Sequence, residues 1–147
     1  MKKAILIVSF GTTYPDTRQK NIAAITRQVR ALYPDAVVEE AVSSTIVRNA
    51  MKKREHIEAK SPTEALESMK KQGVTHVAVF PTHVIDGIEN HRLKEAAKKY
   101  AGAFEQIAVA DALLAKTPVL SNRLQLPMRF WQNRRIMRMW QKHCGSR

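Results

Sequence analysis

Two apolar runs constrain the fold more than any other feature of this sequence. "AILIVSF" at residues 4–10 and "HVAVF" at residues 76–80 are continuous and rich in β-branched residues. A strand with this pattern is typically buried on both faces of a sheet. Polar loops and helix-like spacing follow each run, which predicts a parallel sheet covered by helices.

The same alternation continues to about residue 121. Further strands are predicted at residues 36–43 and within residues 104–114, so the predicted order is β-α-β-α-α-β-α-β. Four strands in this order indicate an α/β fold with a four-stranded parallel sheet flanked by helices.

Two of the intervening helices have specific predictions. Ser61, Pro62 and Glu64 form the pattern of a capping box with proline in the first turn, and Gly73 is typical of a helix end. A short helix is predicted at residues 44–54, and its apolar face consists of Ile46, Val47, Ala50 and Met51.

Two polar loops follow the first and third predicted strands, at the edge where open α/β sheets bind ligands. "SFGTT" at residues 9–13 offers backbone N–H groups and hydroxyls that suit a carboxylate or phosphate. The alternative interpretation is a tight turn whose hydroxyls cap the next helix.

The second loop, "PTHVIDGIENH" at residues 81–91, places His83, Asp86, Glu89 and His91 within a short stretch. Imidazole and carboxylate groups bind divalent metals, but this spacing matches no standard zinc signature. Asp86 and Gly87 predict a turn, and Glu89 is typical of a helix start. A capped loop with a hydrogen-bonded His83 is the alternative.

Charge divides the chain unevenly. The net charge is +12, yet residues 121–147 hold seven Lys or Arg and no acid, which leaves 18 basic against 13 acidic residues in 1–120. We interpret residues 1–121 as one α/β domain and residues 122–147 as a basic, poorly ordered tail. A shifted reading frame is one hypothesis for the tail, and resequencing the gene would test it. We expect no nucleic-acid partner, because the basic residues outside the tail lack interleaved aromatics.

A cytoplasmic protein without a membrane segment is expected. The chain has one cysteine, Cys144, which is typical of a reducing compartment. No apolar run approaches the roughly 20 residues of a membrane helix. The start, "MKKAILIVSF", lacks a signal cleavage site and is interpreted as the first strand.

Four stretches in order carry a resemblance to a known family: "AILIVSFGTTYPDTRQKNI", "AVSSTIVRNAMKKR", "SPTEALESMKKQGVTHVAV" and "PTHVIDGIENHRL". Over residues 1 to about 121 the sequence resembles the N-terminal half of the anaerobic sirohydrochlorin cobaltochelatases, the CbiK-type class II tetrapyrrole chelatases. The resemblance implies one of two similar α/β halves, with a tetrapyrrole cleft between them.

The resemblance also implies an activity, the insertion of Co2+ into sirohydrochlorin in anaerobic cobalamin biosynthesis. Ni2+ and Fe2+ chelatases share this scaffold, and no further cofactor is implied. The family's principal metal-binding histidines, one in a "GHG"-type loop, lie in the second half, and no "GHG" occurs here. An incomplete metal site with weak or no activity is therefore expected. A non-catalytic tetrapyrrole- or metal-binding module is the alternative, and a homo-oligomer is left open.

Site residues follow from the resemblance. His83 is the best candidate for a catalytic role, since neutral imidazole can take protons near pH 7. His83, Glu89 and His91 are weak candidates for metal ligands. The implied tetrapyrrole-binding residues are Ser9, Phe10, Gly11, Thr12, Thr13, His83, Asp86 and Gly87.

Overall fold

The computed structural model describes residues 1–83 and 86–111, which form an α/β fold as predicted. The strands are β1 (Lys3–Ser9), β2 (Val37–Val42), β3 (His76–Pro81) and β4 (Gln106–Val109). The helices are α1 (Pro15–Thr17), α2 (Ala23–Leu32), α3 (Thr45–Glu55), α4 (Pro62–Lys71) and α5 (Ile88–Lys99). A π-helical segment, Arg18–Ile22, joins α1 to α2. The predicted tail, including Cys144, lies outside the described residues.

The strands are all parallel and lie in the order β2-β1-β3-β4. Ile5 in β1 is opposite Val38 of β2 on one side and Ala78 of β3 on the other. The chain therefore winds from β1 to one side of the sheet and then returns to the other. The gap between the carboxyl ends of β1 and β3 is the topological switch point, where open α/β sheets bind ligands.

The apolar runs that dominate the sequence form the centre of the core. Leu6 and Val8 of β1 and Val79 of β3 are fully buried, and Leu66 and Met69 of α4 pack in the same cluster. Burying a side chain of this size stabilises a fold by roughly 1.5–3 kcal/mol. The strands that position the two polar loops are thus rigidly held.

Two helix predictions have different outcomes. The capping box of α4 is confirmed, because Glu64 N donates to Ser61 Oγ and Ser61 N donates to Glu64 Oε2. The predicted apolar face of α3 is correct only in part, because Met51 is buried and Val47 and Ala50 are half-buried, whereas Ile46 is 82% exposed. The helix lies beside β2, an edge strand of the described sheet, so little of its surface is covered. Among the described residues, no helix combines the length and hydropathy needed to cross a membrane.

Candidate functional site

A cleft of about 760 Å³ opens at the switch point, beyond the carboxyl ends of β1 and β3. Residues 9–11 form one side of it, and the first turn of α5 contributes another. The two polar loops singled out in the sequence therefore meet at one site. This position agrees with the general rule for ligand sites in open α/β sheets.

The loop after β1 is anchored by its backbone and exposes one aromatic ring. Ser43 N donates to the Ser9 carbonyl at 2.8 Å, and Ser44 N donates to the Phe10 carbonyl at 3.4 Å. These bonds tie the loop to the segment that follows β2. The Phe10 side chain is 52% exposed and lines the cleft. The anchored loop thus presents a flat apolar surface to the cavity.

Gly11 occupies a position that a side chain would not fit. Its φ is +93°, a conformation that L-residues rarely adopt. A Cβ atom here would lie 2.5 Å from Val42 Cγ1 and 2.9 Å from Val47 Cγ1. The close approach of the loop to β2 and α3 therefore depends on glycine.

His83 is buried beside the cleft and held by a serine. Its Nε2 lies 3.1 Å from Ser43 Oγ, and its buried Nδ1 has no hydrogen-bond partner among the described residues. Burial lowers the pKa of His83, and the nearby carboxylate of Glu89 opposes that shift. The imidazole is consequently neutral near pH 7.

Ser43 is fixed from two further directions, which makes it a rigid partner for His83. Its N–H donates to the Ser9 carbonyl, and its own carbonyl accepts from Arg48 Nη1 at 2.9 Å. Nothing in the sequence pattern identified Ser43, because its proximity to His83 depends on the pairing of β2 and β3 with β1.

Asp86, just before α5, is held by side chains from the helix itself. The buried Asn90 donates to Asp86 Oδ1, and Lys94 Nζ lies 3.9 Å from the same oxygen. The Asn90 hydrogen bond, with the charge of Lys94, lowers the pKa of Asp86. Helix α5 begins at Ile88 with Gly87 at its N-cap, and the turn predicted at Asp86 and Gly87 stays a prediction.

The first turns of α5 bring an apolar and two charged side chains to the cleft. Ile88 is 71% exposed although it lines the cavity. Glu89 and Arg92 also line it, and Arg92 Nη1 donates to Glu89 Oε1 at 3.3 Å. Ile88 and Arg92 are spaced i,i+4 and therefore share one face of the helix. That spacing is the signal from which their common position could have been predicted.

The structure brings together most, but not all, of the predicted tetrapyrrole-binding residues. Thr12 lines a neighbouring cavity of about 410 Å³, whereas Thr13 and Asp86 line neither cavity. The predicted residues that line the cleft are Ser9, Phe10, Gly11, His83 and Gly87. The lining residues that sequence reasoning missed are Thr17, Asn21, Ile22, Thr82, Ile88, Asn90 and Arg92.

The candidate metal ligands are only partly brought together. His83 and Glu89 line the cleft, but His91 does not. Within the described part of the chain, no three His, Cys, Asp or Glu side chains are grouped so that they could hold a metal ion. Metal binding by these residues stays a prediction.

Comparison with known proteins places the chain in a family. The family model described as cobalt chelatase (CbiK) matches residues 3–124. A sirohydrochlorin cobaltochelatase of Salmonella typhimurium (strain LT2) is 34% identical over 115 residues. That alignment covers 78% of this chain and 44% of the relative, so the chain spans less than half of the relative's length. The predicted resemblance is confirmed: the chain belongs to the cobalt chelatase (CbiK) family.

Proposed function

We propose that this chain supplies one side of a sirohydrochlorin cobaltochelatase site, with the tetrapyrrole bound in the cleft at the switch point. The observation that carries the proposal is the place of the cleft in a chain of this family: it opens between the two loops that follow β1 and β3. The relative from Salmonella typhimurium is a sirohydrochlorin cobaltochelatase, which indicates the substrate and the metal.

The surface chemistry of the cleft supports a planar, largely apolar ligand. Phe10 lines it from the loop after β1 and Ile88 from the first turn of α5, and both side chains are more than half exposed. Leaving large apolar side chains in water is unfavourable, at about 25 cal/mol for each Å² exposed. A macrocycle lying against them would remove that surface from water, which gives binding energy without a specific polar contact.

Metal insertion replaces the pyrrole N–H protons of the macrocycle by one divalent ion, so a base must accept the protons. Among the described residues that line the cleft, His83 is the one best suited to accept these protons, because its imidazole is neutral. Its Nε2 is already bonded to Ser43 Oγ, and its Nδ1 is buried. Proton transfer to His83 therefore requires the imidazole to move out of this arrangement.

The arrangement of His83 favours a second candidate function, a module that binds a tetrapyrrole or a metal without turnover. Both imidazole nitrogens of His83 are occupied or buried. The described residues also offer no three-ligand group for a metal. The cleft alone would then bind the macrocycle, and metal-holding groups would have to come from elsewhere.

Co2+ is the proposed substrate metal, with Ni2+ and Fe2+ as alternatives, and no other cofactor is needed. We place the protein in the cytoplasm, on the strength of the single cysteine. A second copy of the chain could complete the cleft, so a homo-oligomer is part of the proposal, whereas a nucleic-acid or membrane partner is not.

Absorbance spectroscopy tests the proposal and separates the two functions. Sirohydrochlorin is mixed with the protein, and Co2+ is then added while the tetrapyrrole spectrum is followed. A shift on mixing, followed by cobalt insertion faster than in protein-free buffer, supports the chelatase. A shift on mixing without acceleration supports the binding module. A spectrum that the protein leaves unchanged contradicts both.

A further inference from the structure

We propose that Arg92 determines specificity for acidic tetrapyrroles by binding a carboxylate on the rim of the macrocycle. The inference rests on the proposed function and extends it to one residue and one chemical group. Sirohydrochlorin carries acetate and propionate groups around its ring, and these are anionic at neutral pH. Specific binding of such a ligand needs a cation near the place where its rim lies.

Of the described residues around the cleft, Arg92 is the cation positioned for this role. Among the described residues that line the cleft, it is the only Lys or Arg, although the chain as a whole is strongly basic. The other basic group of the lining, His83, is held neutral by burial. Guanidinium matches a carboxylate through two parallel N–H donors, which gives geometric selectivity as well as charge attraction.

The present partner of Arg92 would be easy to exchange. Arg92 Nη1 and Glu89 Oε1 are 3.3 Å apart, and the Arg92 side chain is 73% exposed. An exposed i,i+3 ion pair of this kind contributes at most about 1 kcal/mol. A ligand carboxylate that approaches along the cleft can therefore replace Glu89 at little cost. Because Ile88 shares the same helix face, the macrocycle would lie against Ile88 while its rim reached Arg92.

Helix α5 also contains a matched control. Lys98 forms an i,i+3 pair with Glu95, and its side chain is 72% exposed. It does not line the cleft. Removing Lys98 changes the net charge and the surface ion pairing of α5 just as removing Arg92 does. A difference between the two variants therefore reports on the place of Arg92 in the cleft.

The experiment measures the dissociation constants of sirohydrochlorin and of its methyl ester by fluorescence titration, without metal. We expect Arg92→Ala to weaken binding of the acid about tenfold, as the loss of one charge-assisted hydrogen-bonded pair implies, and to leave the ester within about twofold. Arg92→Lys should recover part of the loss. Lys98→Ala should leave both ligands within about twofold.

A further pair of variants removes the effect of a freed Glu89 carboxylate. In the Glu89→Gln background, adding Arg92→Ala should still weaken the acid about tenfold. Equal weakening of acid and ester by Arg92→Ala, or an equal effect of Lys98→Ala, would overturn the inference and leave the proposed function standing. If the unaltered protein binds neither ligand, the proposed function fails and the inference fails with it.

Discussion

Gly11 is the residue at which the backbone of the cleft is most tightly constrained. Replacing it by alanine would force a Cβ atom to 2.5 Å from Val42 Cγ1 at a φ of +93°. We expect Gly11→Ala to lower the free energy of unfolding by about 1–3 kcal/mol, from overpacking and strain combined. Urea denaturation followed by circular dichroism measures the change.

The matched control is the other glycine of the cleft, Gly87. Its φ is −104°, and an added Cβ would have no atom within 4 Å. Gly87→Ala should change the free energy of unfolding by less than about 1 kcal/mol. Similar losses in both variants would show that glycine is not specifically required at residue 11.

His83 predicts a pH dependence of stability whose sign follows from its surroundings. Burial lowers its pKa in the folded protein below the usual 6.5. Between the two pKa values the unfolded chain binds more protons than the folded protein, so stability falls as pH drops below 6.5. The free energy of unfolding, measured between pH 7.5 and pH 5 in steps, should decline more steeply for the unaltered protein than for His83→Gln.

His91 is the natural control for that experiment, since it lies in the same segment, is exposed and does not line the cleft. His91→Gln should keep the pH dependence of the unaltered protein. If His83→Gln and His91→Gln retain the same slope, the acid sensitivity arises elsewhere and the buried neutral imidazole is not its source.

The sequence identified the two loops of the site but not every residue in it. The loops after β1 and β3 were identified because their composition changes abruptly after the apolar runs. Ser43 and Arg92 were not identified. The role of Ser43 beside His83 arises from strand pairing between distant segments, and that of Arg92 from the side of α5 that faces the cleft. Residue types alone encode neither property, although the i,i+4 spacing does place Arg92 on the same face of α5 as Ile88.

At the scale of elements, α4 is the helix whose ends the sequence specifies best. Its capping box has both hydrogen bonds, 3.2 Å from Glu64 N to Ser61 Oγ and 2.7 Å from Ser61 N to Glu64 Oε2. The same bonds lower the pKa of Glu64. Because α4 carries the fully buried Leu66 and Met69, weakening its start should lower the stability of the whole domain.

We expect Ser61→Ala to cost about 1 kcal/mol of unfolding free energy, the usual effect of losing an N-cap side chain. Thermal and urea denaturation measure it. Thr63→Ala, two residues along the same turn and exposed, should change stability by less than about 0.5 kcal/mol. A Ser61→Ala protein as stable as the unaltered one would mean that solvent replaces the cap without loss.

The burial of the two central strands was predictable and the exposure of Ile46 in α3 was not, for a shared physical reason. A continuous β-branched run has few ways to satisfy its apolar surface other than burial on both faces, as β1 and β3 show. The apolar residues of α3 can instead stay partly exposed, because the helix lies beside an edge strand of the described sheet. Ile46 is left exposed there, and helical spacing alone could not predict it.

At the scale of the whole molecule, the position of the cleft supports the proposed function better than the net charge of the chain does. The net charge of +12 suggests polyanion binding in general, yet much of it lies in residues 121–147. The cleft at the switch point, by contrast, is lined by residues of the loops after β1 and β3 and of the helical segment that follows the first of these loops. The membership of the chain in the cobalt chelatase (CbiK) family agrees with the predicted half-fold.

The cleft between β1 and β3 is the proposed binding site of the tetrapyrrole, and two isoleucines allow a direct test of this assignment. Ile88 lies in the first turn of α5, is 71% exposed and lines the cleft. Ile46 lies in the first turn of α3, is 82% exposed and does not line it. Replacing each by glutamate makes the same chemical change at two similar surface positions.

The decisive measurement is the dissociation constant of sirohydrochlorin for the unaltered protein, Ile88→Glu and Ile46→Glu. The proposed site predicts at least about tenfold weaker binding to Ile88→Glu, because an apolar contact is replaced by a carboxylate that repels the anionic ligand. For Ile46→Glu it predicts a change within about twofold. Equal affinities of the two variants, or a larger loss in Ile46→Glu, would contradict the assignment of the cleft.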